Sequence, residues 1–264
     1  MKVLLLRADN LRHRALSQHL LETNNLAAQI IEPKTSTEIY YENSLLNLHF
    51  QSRERSELDF FQHYSMLYKS KQVPELIIKP GQINHESTLE FISKADFDIA
   101  ITFGVSILKN ELIHSLNNSI LGIHLGLSPY YRGSGTNFFP FVNRELACIG
   151  YTLMHLDSSI DGGAIIHQGR APIVTGDSIH SIGNRNILQM FYDITQLIKV
   201  KDLFQKGFKI NTAAGKLYRR KDFNLDSLQT AYQNLKLGLI DEYVEKKSSE
   251  LKKFKIIENR NLRI

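Results

Sequence analysis

The chain has 264 residues, 42% of them hydrophobic and 22% charged, a balance that lets a soluble core form without covalent staples. Its lone cysteine, Cys148, excludes an internal disulfide framework and a cysteine-based zinc site, no apolar run approaches the ~18 residues that span a bilayer, and the opening Met1–Arg7 run is too short for a secretory leader, so a cytoplasmic protein is expected. The net charge is +5, and residues 201–264 carry 15 Lys and Arg against 8 Asp and Glu; the mixed signs around Glu245-Lys246-Lys247 read as a solvated helical face, with phosphate contact as the alternative.

In chain order, Lys2–Arg7 reads as a buried strand. Leu11, Ala15, Leu16 and Leu20 recur at helical spacing up to about Thr23, and Leu26–Ile31 is a second strand. This β-α-β opening predicts a parallel sheet with right-handed crossovers. The Arg7-Ala8-Asp9-Asn10 turn has no glycine, so the dinucleotide fingerprint is missing and a nicotinamide or flavin cofactor is not expected. Residues 35–75 are polar, aromatic and mostly helical in pattern, with a stripe of Phe60, Phe61, Tyr64, Leu67 and Tyr68 that reads as core. Ser87–Lys94 predicts a short helix capped by Ser87.

Asp98–Phe103 is a central strand, Ile107–Leu116 a helix and Ser119–Leu125 another strand. Cys148–Leu156 and Ala164–Ile173 read as a strand pair joined by a turn over Asp157–Gly163. Asp177 to about Gln205 predicts a long helix, Gly215–Phe223 a short strand and Leu225–Lys255 a final helix. The division expected from this pattern is an α/β unit over 1–200 and a basic appendage over 201–264.

Two segments could carry chemistry. In Gly122-Ile123-His124-Leu125-Gly126-Leu127-Ser128-Pro129-Tyr130-Tyr131-Arg132-Gly133, a histidine closes a strand at the edge where open α/β sheets bind ligands. The turn from Asp157 to Gly163 brings two carboxylates and two glycines. A His and an Asp meeting across a cleft make an acid–base unit, the carboxylate fixing the imidazole tautomer. The alternative is that His124 is held structurally and that Asp161 forms a turn. The ten histidines show no metal-ligand spacing, so no metal is expected. Walker A and G-x-S-x-G motifs are also missing.

At this separation the two segments resemble the folate-dependent formyltransferase family, whose members act on glycinamide ribonucleotide, methionyl-tRNA or sugar nucleotides. That family carries Asn-x-His at a strand end, a loop with Pro and then Arg/Lys-Gly, and Asp-x-Gly about forty residues later. This chain offers Gly122-Ile123-His124, Pro129, Arg132-Gly133 and Asp161-Gly162-Gly163. Gly104–Leu108, Gly176-Asp177-Ser178 and Gly215–Tyr218 match other family phrases. The likeness covers roughly residues 76–222; residues 1–75 match only in β-α-β order.

The resemblance implies a Rossmann-like, mostly parallel sheet flanked by helices, with a short, mainly helical C-terminal appendage. It implies N10-formyltetrahydrofolate as donor and a primary amine of a small metabolite, an amino sugar or nucleotide sugar, as acceptor. His124 and Asp161 would be catalytic. Phe103, Gly104, Val105, Ser106, Ile107, Asp157, Ser158 and Ser159 would line the folate pocket, and Tyr130, Tyr131, Arg132 and Gly133 would border the acceptor. No RNA-binding barrel is evident, so nucleic acid is not an expected partner. Exposed C-terminal helices could pair two copies.

One departure stands out: Gly122 occupies the family's asparagine position, where an amide would stabilise the oxyanion. Removing such a donor typically costs about 10²–10³ in rate. Asn137 or a bound water could substitute. Otherwise the chain is a lapsed or altered member that binds folate or a partner, or a formyltetrahydrofolate hydrolase. Gly122→Asn is expected to keep or raise turnover unless another group fills that space.

Overall fold

The computed structural model describes residues 1–34, 44–66, 72–117, 119–156, 163–200, 207 and 215–259. Strand β1 (Val3–Arg7) is buried on both sides, leads into α1 (Leu11–Glu22), and pairs in parallel with β2 (Leu26–Ile31). Continuous apolar runs such as Val3-Leu4-Leu5-Leu6 suit a sheet covered on both faces. Helix α2 (Ser44–Met66) follows, then β3 (Glu75–Ile77), α3 (Glu86–Lys94), β4 (Ile99–Phe103), α4 (Asn110–Ser115) and β5 (Ile120–His124). After β5 come a short strand β6 (Tyr131–Gly133), the turn of helix α5 (Phe139–Val142), the hairpin pair β7 (Tyr151–His155) and β8 (Ile165–Gly169), and the long helix α6 (Ile179–Leu197). The chain closes with β9 (Lys216–Tyr218), α7 (Leu225–Lys236) and α8 (Leu239–Lys253).

The large sheet runs β3-β2-β1-β4-β5-β7-β8. Its first five strands are parallel, and β7 and β8 are antiparallel to their neighbours. This is the mostly parallel sheet with flanking helices that the β-α-β opening predicts. One face packs Leu5, Ile101, Leu121 and Leu153 against α1, α2 and α6 through Leu16, Phe61, Phe191 and Ile194. The other packs Leu4, Ala100 and Ile120 against α3 and α4 through Ile92, Leu112 and Ile113. A third cluster gathers Phe139, Phe141, Ile182, Leu228 and Tyr243 where α5, α7 and α8 meet α6.

Phe61 is fully buried and Phe60 and Tyr64 pack beside it, as the aromatic stripe predicts; Leu67 and Tyr68 lie outside the described residues. Helix α3 begins one residue earlier than expected, and its cap is His85, which accepts from the Ser87 backbone N–H. Helix α6 is capped by Ser178, with Ser181 reciprocating, and it ends at Leu197 rather than near Gln205. The expected final helix is two helices, because Gly238 adopts φ 82° between α7 and α8. Strand β9 pairs in parallel with β6, tying the 216–218 segment to the loop that follows β5. Among the described residues no helix is long and apolar enough to cross a membrane.

Candidate active site

Strands β1, β4 and β5 end on the same edge, and their following loops build the site. His124 is the last residue of β5 and is half-buried. Its Nε2 lies 3.2 Å from the Tyr131 carbonyl; a carbonyl only accepts, so Nε2 carries the proton and donates. Thr136 Oγ1 donates to the Leu125 carbonyl. Thr152 Oγ1 donates to the Gly126 carbonyl at 2.7 Å and accepts from the Ser128 N–H at 3.0 Å. The loop after the histidine is therefore pinned at Leu125, Gly126 and Ser128.

The expected acceptor-side residues divide. Tyr131 is 1% exposed, stacks on Tyr218, and gives its hydroxyl to Glu145. Its side chain is part of the core, and it is the backbone carbonyl that meets His124. Tyr130 donates to the Lys255 carbonyl at 2.9 Å. Arg132 is half-buried. Gly133 has φ 85°, and a Cβ there would stand 2.1 Å from the Tyr218 carbonyl oxygen, so the β6–β9 contact requires glycine.

On the donor side, Phe103 is buried while Gly104 and Ile107 are exposed, Ile107 to 70%. Gly104 has φ 77°, and a Cβ would strike the His13 ring at 2.5 Å. The segment is held by Glu32, which the sequence reading passed over. This 2%-exposed carboxylate accepts from the Ser106 N–H at 2.6 Å, the Ser106 hydroxyl at 2.9 Å and the Gly81 N–H at 2.7 Å. An acid beside Pro33 reads as loop; the only hint in the sequence is its place one residue past a strand. Glu32→Ala leaves three donors unanswered and should cost roughly 1–3 kcal/mol of stability. Urea unfolding of the variant checks this, and Glu32→Gln should recover part of the loss.

Asp161, Asp157, Ser158 and Ser159 lie outside the described residues. Gly122 is described. A Cβ on Gly122 would fall 2.5 Å from Leu156 Cδ2 and 2.6 Å from its Cγ. The space is filled by a leucine that packs with the α3–α4 core. Gly122→Asn should therefore lose stability, by about 1–3 kcal/mol for an overpacked site. Thermal unfolding of Gly122→Asn against Gly122→Asn/Leu156→Ala measures it, with the double variant the more stable.

Next to the β5 loop opens a cleft of about 870 Å³. Leu125, Ser134, Gly135 and Asn137 form one wall. Helix α2 contributes His49, Phe50 and Arg53, the start of α6 contributes His180 and Asn184, and Arg12, Lys34, Arg220 and Phe223 complete it. Arg12 pairs with Glu57 at 2.5 Å, and Arg53 lies 4.9 Å over the Phe50 ring. Burial lowers the Lys34 ammonium, and although Glu32 opposes this, the Arg220 and Arg12 charges add to it. Like charges converge here, which favours an anion in the cleft. Burial, then the neighbouring His180 and Arg53 charges, push His49 down to about 3; burial and Arg53 push His180 down to about 4. Both rings are neutral at pH 7. Among the described residues no cluster of His, Cys, Asp and Glu could hold a metal ion.

The profile of the formyl transferase family matches residues 67–189. The methionyl-tRNA formyltransferase of Halalkalibacterium halodurans is 29% identical over 116 residues, which are 43% of this chain and 35% of that protein. The chain thus spans about a third of that curated relative. Among solved structures, a sugar N-formyltransferase from Shewanella superposes with a TM-score of 0.56 at 19% identity, over 88% of each chain. The N-formyltransferase of Helicobacter canadensis, solved with folinic acid and dTDP-3-aminofucose, gives 0.55 at 16% identity over 89% of this chain and 80% of its own. A phosphoribosylglycinamide formyltransferase from Anaplasma phagocytophilum gives 0.55 at 17% identity over 83% and 98%. Residues 67–189 thus resemble the formyl transferase family, and the sheet order and strand-end histidine agree with that likeness.

Proposed function

We propose that this protein is an N-formyltransferase that moves a formyl group from N10-formyltetrahydrofolate to a primary amine on a phosphate-bearing small metabolite, a nucleotide-linked amino sugar being the best fit. The observation that carries the reading is the juxtaposition at the end of β5. His124 stands at the strand end, and the residue after it lines a cleft with Arg12, Lys34, Arg53 and Arg220 on its walls. A cleft of about 870 Å³ lies within the size range of ordinary ligand pockets, and its rings of Phe50, Phe138 and Phe223 give flat surfaces beside the cations. The Helicobacter relative was solved with a ligand of this kind.

The donor fits the other side. The exposed backbone around Gly104 and the exposed Ile107 side chain, with Ser106 fixed by Glu32, offer polar backbone groups and one apolar surface to a pterin. The donor supplies an activated formyl carbon. His124, oriented by the Tyr131 carbonyl, donates from Nε2 toward the formyl oxygen as charge builds there. With Asp161 it also handles the proton that the amine sheds. Arg12, Lys34, Arg53 and Arg220 hold the acceptor's phosphates and set the direction from which the amine arrives.

The test begins with a thermal shift with folinic acid, a stable formylated folate. Saturation at about 100 times Kd stabilises a fold by roughly 2.7 kcal/mol, several degrees for a chain this size. Formyl transfer is then assayed with dTDP-linked amino sugars. Absence of both a shift and a formylated product defeats the reading. A second reading, a folate-binding member that no longer transfers, draws on the Leu156 side chain that fills the family's amide position. A folinic acid shift without formylated product or formate would favour it.

A further inference from the structure

Formyl transfer needs a hydrogen-bond donor at the formyl oxygen, and Gly122 offers no side chain for one at the usual strand position, where Leu156 packs instead. Asn137 lies in the loop between β6 and α5, is half-buried, and lines the cleft. Its Oδ1 accepts from the Gly150 N–H at 3.0 Å. That bond assigns the amide: the oxygen is the end at the Gly150 N–H, which leaves the NH2 group as the donor end. The Nδ2 atom has no hydrogen-bond partner among the described residues.

The loop is also folded against the histidine. Thr136, the preceding residue, is 3% exposed. Its Cβ and the Nε2 of His124 both lie within 3.0 Å of one point beside Gly126. The loop that anchors Asn137 therefore reaches the imidazole nitrogen that donates. An asparagine amide is a neutral donor at every working pH, and this one is already oriented, so it would pay little reorganisation at the moment of reaction.

We propose that Asn137 Nδ2 is the oxyanion donor of this enzyme, replacing from the far side of the loop the amide that position 122 lacks. The inference rests on the formyl-transfer reading above. In the step it serves, the amine nitrogen bonds to the formyl carbon and the C=O electron pair moves onto oxygen. Asn137 and His124 donate to that oxygen. The pair then re-forms the carbonyl, the bond from carbon to the folate N10 breaks, and the proton that the amine sheds ends on N10.

The experiment avoids dependence on the acceptor. Water can replace the amine, so 10-formyltetrahydrofolate and water give formate and tetrahydrofolate, and formate release is followed for the wild type, Asn137→Asp and Asn137→Ser. Asn137→Asp keeps an oxygen for the Gly150 N–H and removes the donor. Its kcat should fall about 10²–10³-fold, with KM and the folinic acid affinity within about twofold. Asn137→Ser, which retains a hydroxyl donor, should fall between the two. Asn137→Asp with a third or more of the wild-type kcat, or a loss expressed in KM alone, overturns the proposal while the formyl-transfer reading stands. A wild type that releases no formate and formylates no amine removes the reading itself, and the proposal with it.

Discussion

His124→Ala should lower the rate of formyl transfer by about 10²–10⁴-fold, the range that a positioned acid–base group contributes. The loss should appear in kcat rather than in folinic acid binding, because the folate-side surface of Gly104, Ser106 and Ile107 is fixed from elsewhere, by Glu32. Structural damage should be small. The ring is half-buried and donates to the Tyr131 carbonyl, while the loop keeps its anchors through Thr136 and Thr152. Single-turnover kinetics of the variant, with a thermal unfolding curve and a folinic acid titration alongside, measure all three. Full turnover in His124→Ala would remove the histidine from the chemistry. Asp161→Ala should act in the same direction.

The second large effect concerns stability. Lowering the pH from 7 to 5 should destabilise the fold by about 2–4 kcal/mol through His49 and His180. Both are buried rings on the cleft wall with centroids 4.7 Å apart. An unfolded histidine takes up its proton near pH 6.5, whereas the folded rings stay neutral until about pH 3 and 4. Below pH 6.5 the unfolded chain therefore binds protons that the folded chain refuses, and stability drops. Above pH 6.5 the contribution is complete and flat. His13, buried against Phe103 and likewise lowered by burial, pulls the same way. Urea unfolding at pH 7, 6 and 5 tests this, and a His49→Gln/His180→Gln variant should show the flatter profile. A wild-type stability that does not change across that range would mean that the rings accept protons in the fold.

The sheet was legible because its strands are apolar runs with obvious breaks. Leu26–Ile31 was read to the residue, and β1, β4, β5, β7 and β8 to within a few residues at each end. What escaped has a common cause: contacts between residues far apart in the chain. Strand β3 is three residues with two exposed side chains, so its sequence has no buried-strand pattern and only its pairing with β2 defines it. The break at Gly238 was hidden because apolar spacing continues across it. Arg7 ends a strand and is 2% exposed, with Nε bonded to Gln29 at 2.9 Å, a burial that composition argues against. At the site, the strand-end histidine and the loop motifs were readable. Glu32 was not, since its partners lie some fifty and seventy residues away. Neither was the leucine opposite Gly122, because close packing between β5 and the end of β7 leaves no trace in either segment alone.

The parallel pairing of β6 with β9 has a consequence for the order in which the molecule can be made. A nascent chain that has already delivered every strand of the large sheet, through Gly169, still lacks the partner of Tyr131–Gly133. That partner, Lys216–Tyr218, emerges from the ribosome nearly fifty residues later. The loop carrying the Tyr131 carbonyl and Asn137 is thus among the last parts to set, after the sheet beneath it. Folding and competence are separated in time during synthesis, and the newly completed sheet has to wait for its own C-terminal segment before His124 acquires its final surroundings.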